Sequence, residues 1–266
     1  MVGVMNWIRV VVALLLAVTL GVTSVFGYVP VVMGSALVVV FIAFGWPRLT
    51  DTPQPHITSL MLGLFGLAGM AATWLADHPP YLEWLPILAA LGLLWSFVQN
   101  LSRGIDADNA VANVSAHVAG VVIVLSTCSW AAAIRLAGER NAVIMGLVAI
   151  MLAQCATAMP WPGKFAGPLA VVLGIVGANA IYWLDGSTIE HWGAANLLGL
   201  LMGLVVIVVD RMLGKISEAP YQAGSLHKSQ KRQKARQWGV QLALGATPIA
   251  VGGIAVYIVE RIPGII

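Results

Sequence analysis

Arg103, Asp106, Asn109, Asn113 and His117 recur at intervals of three and four residues where an apolar stretch begins. At about 100° per residue, Asp106, Asn109, Asn113 and His117 fall on one face of a helix. A polar stripe descending among apolar residues must face protein or water, because hydrocarbon offers its donors and acceptors no partner. Two readings follow. The stripe can recognise a lipid headgroup or small solute, with His117 as its titratable member. Or it is a polar seam that locks two helices and caps a helix start. The residue types fit no catalytic template. Gln154, in the next apolar stretch, could face the stripe, since the two stretches are sequential and antiparallel. Asn179 and Asn196 are solitary and read as interhelical hydrogen bonds.

Other constellations are weaker. Met151, Cys155 and Met159 recur every four residues, a soft-ligand pattern that would suit Cu(I). No Cys or His pair accompanies it, and Met is a common filler of apolar helices. His56, His78 and His191 lie in separate gaps, which gives no zinc or haem ligand set. Cys128 and Cys155 fall at depths too different for a disulfide. No P-loop, dinucleotide fingerprint, zinc-protease or nucleophile-elbow motif is present. No acid or base stands at the middle of an apolar stretch, as a proton-coupled carrier would need. Neither a metal nor a cofactor is expected.

The elements that must hold these residues follow from composition. The 266 residues are 59% hydrophobic and 9% charged, whereas soluble domains run to about a quarter charged. Apolar stretches of about 17–20 residues, the length that crosses a bilayer as a helix, alternate with short charged gaps. They span 10–26, 29–46, 57–75, 82–99, 115–134, 142–158, 166–183, 193–209 and 239–258. The expected fold is therefore an all-α polytopic bundle of about nine transmembrane helices (eight to ten), a single domain over 1–266. Residues 10–26 follow Arg9 without a convincing cleavage site and read as an uncleaved first helix.

Charge sets the orientation. With the N-terminus cytoplasmic, Arg9, Arg48, Arg103, Lys164, Arg211, Lys215, Lys228, Lys231, Arg232, Lys234 and Arg236 lie inside. Only Arg135, Arg140 and Arg261 lie outside, so the C-terminus is expected outside as well. Trp74, Tyr81, Trp84, Tyr182, Trp183 and Trp192 would mark the outer rim, and Trp7, Trp46, Trp161 and Trp238 the inner one. Ala195, Gly199 and Gly203, with Ala170, Gly174 and Ala178 on the preceding span, form small-residue series that let helices approach closely, within this bundle or in a dimer. Pro248 should kink the last span. Residues 210–238 read as a basic cytoplasmic loop. Its cations Lys228, Lys231, Arg232, Lys234 and Arg236 would each attract anionic lipid by about 1 kcal/mol, or dock a partner. Nothing there interleaves aromatic residues, so no nucleic acid is expected.

The early helical hairpin and the Gly-rich span ending Val208-Val209-Asp210-Arg211 resemble a CDP-diacylglycerol synthase. That family of multi-span enzymes uses CTP and Mg²⁺ on phosphatidic acid. Its acidic metal-binding motifs and its Lys- and Gly-rich signature loop are absent here. The stretch from Leu152 to Met159 has no Asp to hold Mg²⁺. The likeness covers hydropathy order and is set aside.

These readings lean away from an enzyme. They point to a multi-pass plasma-membrane protein, a non-catalytic accessory or scaffold component of an envelope or transport assembly. Its expected partners are anionic lipids and a membrane protein or a second copy of itself. The alternatives are a facilitator-type permease for a small or lipidic solute, lined by the stripe and Gln154, and a lipid-modifying membrane enzyme.

Overall fold

The computed structural model describes residues 2–103, 109–136, 140–159, 161, 163–185, 192–222 and 230–262. Among the described residues ten helices follow one another: α1 (Val2–Val25), α2 (Tyr28–Leu49), α3 (Pro55–Leu75), α4 (Leu85–Leu101), α5 (Ala110–Ser126), α6 (Cys128–Leu136), α7 (Arg140–Ala158), α8 (Gly163–Asp185), α9 (Trp192–Gln222) and α10 (Gln230–Val259). There is no strand among the described residues. Helices satisfy their own backbone groups, which is what an apolar solvent demands. Among the described residues eight segments are long and apolar enough to cross a bilayer, with α5 and α6 joined into one, Ala110–Leu136. The 17-residue α4 is equally apolar but shorter.

Local chemistry sets the breaks. Gly27, at φ 106°, turns the chain between α1 and α2 in a conformation other residues rarely adopt. Pro55 opens α3, where its missing N–H costs nothing. At Thr127 the α5 ladder tightens, the Thr127 N–H donating to the Val124 carbonyl, and the chain continues at a bend into α6.

The core is built around two segments. In an 18-residue apolar stretch of the Ala110–Leu136 span 78% of the residues are buried, against 28% in the corresponding stretch of the α8 span. α10 packs against α1, α2, α5, α6, α7 and α9. It is fixed by Trp130 of α6, which is fully buried and donates its indole N–H to the Ile249 carbonyl at 2.7 Å. α8 and α9 approach backbone to backbone. A Cβ on Gly199 would stand 2.6 Å from Cα of Ile175, and one on Gly203 2.6 Å from Cα of Val171. The two small-residue series thus face each other, and bare backbone is what allows the contact.

Long-range contacts define two ends of the bundle. At one end Arg9 pairs with Asp210 at 2.5 Å, Arg236 with Asp51 at 3.2 Å, and Gln99 bonds Gln54. At the other, Arg140 reaches the Val25 carbonyl, Arg135 the Thr73 carbonyl, and the Tyr257 hydroxyl the Pro80 carbonyl. The stretch 210–238 is largely helical: α9 continues to Gln222 and α10 begins at Gln230.

Candidate functional site

The stripe meets α3 and α4. His117, 2% exposed, stands with Nδ1 2.6 Å from the carbonyl oxygen of Asn113, one turn earlier on α5. That carbonyl can only accept, so Nδ1 carries the proton. Nε2 accepts from the hydroxyl of Thr58 at 2.8 Å, which spends that hydroxyl's one proton and leaves the Gln54 carbonyl, 3.2 Å away, as its alternative acceptor. Both ring nitrogens are therefore spent inside the bundle. Asn113 is buried beside them. Ser96 of α4 points its hydroxyl at the Val114 carbonyl, and Asn100 bonds back to Ser96.

Not every stripe residue joins this cluster. Asn109 is exposed, at φ 58°, and starts α5 through its carbonyl, which accepts from the Asn113 N–H. Asn tolerates that backbone region better than most residues. Asp106 lies outside the described residues. Arg103 follows the last turn of α4. Among the described residues its Nη1, the Gln99 Oε1 and the Asn100 Oδ1 are enclosed without a hydrogen-bond partner. An enclosed polar atom left unpaired is costly, so this end of α4 has unspent bonding capacity.

Gln154 belongs elsewhere. It lines a cavity of about 10 Å³ with Arg9, Val209, Asp210, Leu244 and Pro248, and its Oε1 accepts from Thr157. Its neighbours come from α1, α9 and α10, whereas the stripe residues of α5 face α3 and α4. Being sequential and antiparallel does not bring the two spans' polar faces together. Two of its walls are Leu244 and Pro248, and Pro248 has no N–H to give the Leu244 carbonyl. A space that small suits about one water molecule. Arg9 is anchored there twice, by Asp210 and by the Thr157 carbonyl.

Trp46, expected at the inner rim, turns its side chain into the bundle. It is 3% exposed and donates its indole N–H to the Ala116 carbonyl at 2.8 Å. Gly120 makes this possible, since a Cβ there would lie 2.8 Å from the indole. The tryptophan is thus a pin between α2 and α5. Asn179 and Asn196, read as solitary, bond each other at 3.0 Å across α8 and α9.

Of the basic segment, Lys228 lies outside the described residues, and Lys231, Arg232 and Lys234 fall in the first turns of α10. Arg236 is held by Asp51. Among the described residues no three of His, Cys, Asp and Glu gather as a metal-holding group.

No family model, curated protein or solved structure matches this chain.

Proposed function

We propose that this chain is a nine-span plasma-membrane protein, N-terminus cytoplasmic and C-terminus outside, acting as a non-catalytic accessory or scaffold component of a membrane assembly. One observation carries the reading: His117, the deepest polar residue of the stripe, has both ring nitrogens engaged by its own bundle. A group so held is a structural lock and has no free atom for a reaction. The ninth span is α4. Its start follows Pro80, bonded by Tyr257 at one end of the bundle, and its last turn carries Gln99, bonded to Gln54 at the other. The small-residue faces of α8 and α9 are occupied by each other. Docking therefore falls to the basic segment around Lys228, Lys231, Arg232 and Lys234.

Purification in mild detergent, followed by identification of what accompanies the protein, tests this role. Replacing those four cations by Gln, with the Arg236–Asp51 pair kept, should release the accompanying membrane protein. An unaltered set of companions contradicts the scaffold reading.

A second reading, a facilitator-type permease, draws on the unspent Arg103 Nη1, Gln99 Oε1 and Asn100 Oδ1 beside the stripe. Asn113→Leu with His117→Ala would then abolish flux while the protein stays inserted. Unchanged flux removes it.

A further inference from the structure

At the end of the bundle away from the Arg9–Asp210 pair, a groove of about 280 Å³ opens between the α1–α2 turn and the start of α7. Val25, Phe26, Gly27, Tyr28, Ile134 and Arg140 line it. Its walls mix polar and apolar surface, with Ser24 also on the lining, and its one charged member is exposed Arg140, whose guanidinium only grazes the Val25 carbonyl at 3.5 Å. A second cation stands behind the Tyr28 wall: the Arg135 guanidinium lies 5.1 Å from the Tyr28 ring and 4.2 Å from that of Tyr81. Among the described residues neither arginine has a carboxylate within ion-pair reach. The groove therefore carries positive charge with no described counter-charge.

The helices that meet at the groove carry exposed apolar side chains: Val18 and Val22 on α1, Phe26 in the turn, and Val29 and Met33 on α2, Phe26 at 73% and Met33 at 69%. A cationic niche where such helices meet matches a molecule with an anionic head and an apolar tail. The volume suits a phosphate with a small polar substituent, and arginine is well matched to phosphate oxygens. We infer that this groove binds one phospholipid of the adjacent leaflet, its anionic headgroup on Arg140 and its acyl chains along α1 and α2. The inference rests on membrane burial of these helices and is independent of the accessory role.

The full chain, stripped of lipid in detergent, is titrated with dioleoylphosphatidylglycerol and read by native mass spectrometry. One lipid should bind preferentially, and dioleoylglycerol, which lacks the phosphate, should not. Arg140→Gln should weaken binding about tenfold or more, as loss of a charge-assisted contact implies. Arg261→Gln, at the same end but outside the groove, should leave it unchanged. Equal binding by the Arg140→Gln protein overturns the site, as does free glycerol 3-phosphate binding as tightly as the lipid. Should the variant fail to fold, the wild-type chain is photolabelled with phosphatidylglycerol bearing a headgroup diazirine. Labels confined to residues 24–28, 134 and 140 and their immediate neighbours in sequence support the site, and labels elsewhere or evenly spread overturn it.

Discussion

Thr58 and His117 are joined across 2.8 Å, hydroxyl to imidazole Nε2, linking the first turn of α3 to the second turn of α5. If the pair is a lock, removing one partner should hurt more than removing both. Thr58→Val leaves a buried ring nitrogen unpaired, at about 1–3 kcal/mol. The double variant Thr58→Val/His117→Leu replaces both by apolar groups and should recover part of that loss. A double-mutant cycle on unfolding in detergent gives the coupling, expected at roughly 0.5–1.5 kcal/mol. Strictly additive costs contradict the lock.

The Arg9–Asp210 pair makes a parallel prediction at the neighbouring polar cluster. Arg9 is the more enclosed partner, its side chain 13% exposed against 34% for Asp210. Asp210→Asn therefore strands a mostly buried guanidinium and should cost about 1–3 kcal/mol, between the values for exposed and buried pairs. Arg9→Met combined with Asp210→Asn should cost less than Asp210→Asn alone. Melting curves of the three purified variants decide it.

The α8–α9 contact predicts intolerance of bulk. Gly203 faces Cα of Val171 and Gly199 faces Cα of Ile175, with no room for a side chain. Gly203→Leu should force the helices apart and destabilise the protein by about 1–3 kcal/mol or more. Spin labels on α8 and α9 should report a wider separation. An unchanged distance would mean that the two helices do not touch there.

Trp46 offers a similar test inside the core. Gly120→Val should push the indole off the Ala116 carbonyl, losing a hydrogen bond worth about 1 kcal/mol and adding overpacking strain. Trp46→Phe alone should lose mainly the hydrogen bond. The glycine variant is thus expected to melt lower than the tryptophan variant, and the reverse order contradicts the pin.

These contacts also show what the sequence carries openly and what it does not. Each of the nine apolar stretches overlaps a helix, because hydrocarbon-length runs without charge leave the backbone few other solutions. The bend at Thr127 is not legible, since nothing in Leu125-Ser126-Thr127-Cys128 forbids a straight helix. The stripe is legible as a periodicity on α5, but the bond between Thr58 and His117 is not. A usable signal exists: Thr58 sits toward the span end that antiparallel alternation places beside Asn113. Gln154 was misplaced because sequence adjacency says nothing about which face a helix turns. Trp46 was read as a rim anchor from its position, and only the absence of a side chain at Gly120 reveals the slot it fills. Arg9 and Asp210, 201 positions apart, carry no local sign of pairing.

The proposed nine-span topology depends on α4 crossing the membrane. With Cys128 and Cys155 replaced by Ala, single cysteines at Asp77 and Arg103 can be treated in intact cells with a membrane-impermeant maleimide. The nine-span arrangement predicts labelling at position 77 from outside, and at position 103 only after the membrane is opened. Labelling of both positions from the same side would contradict it.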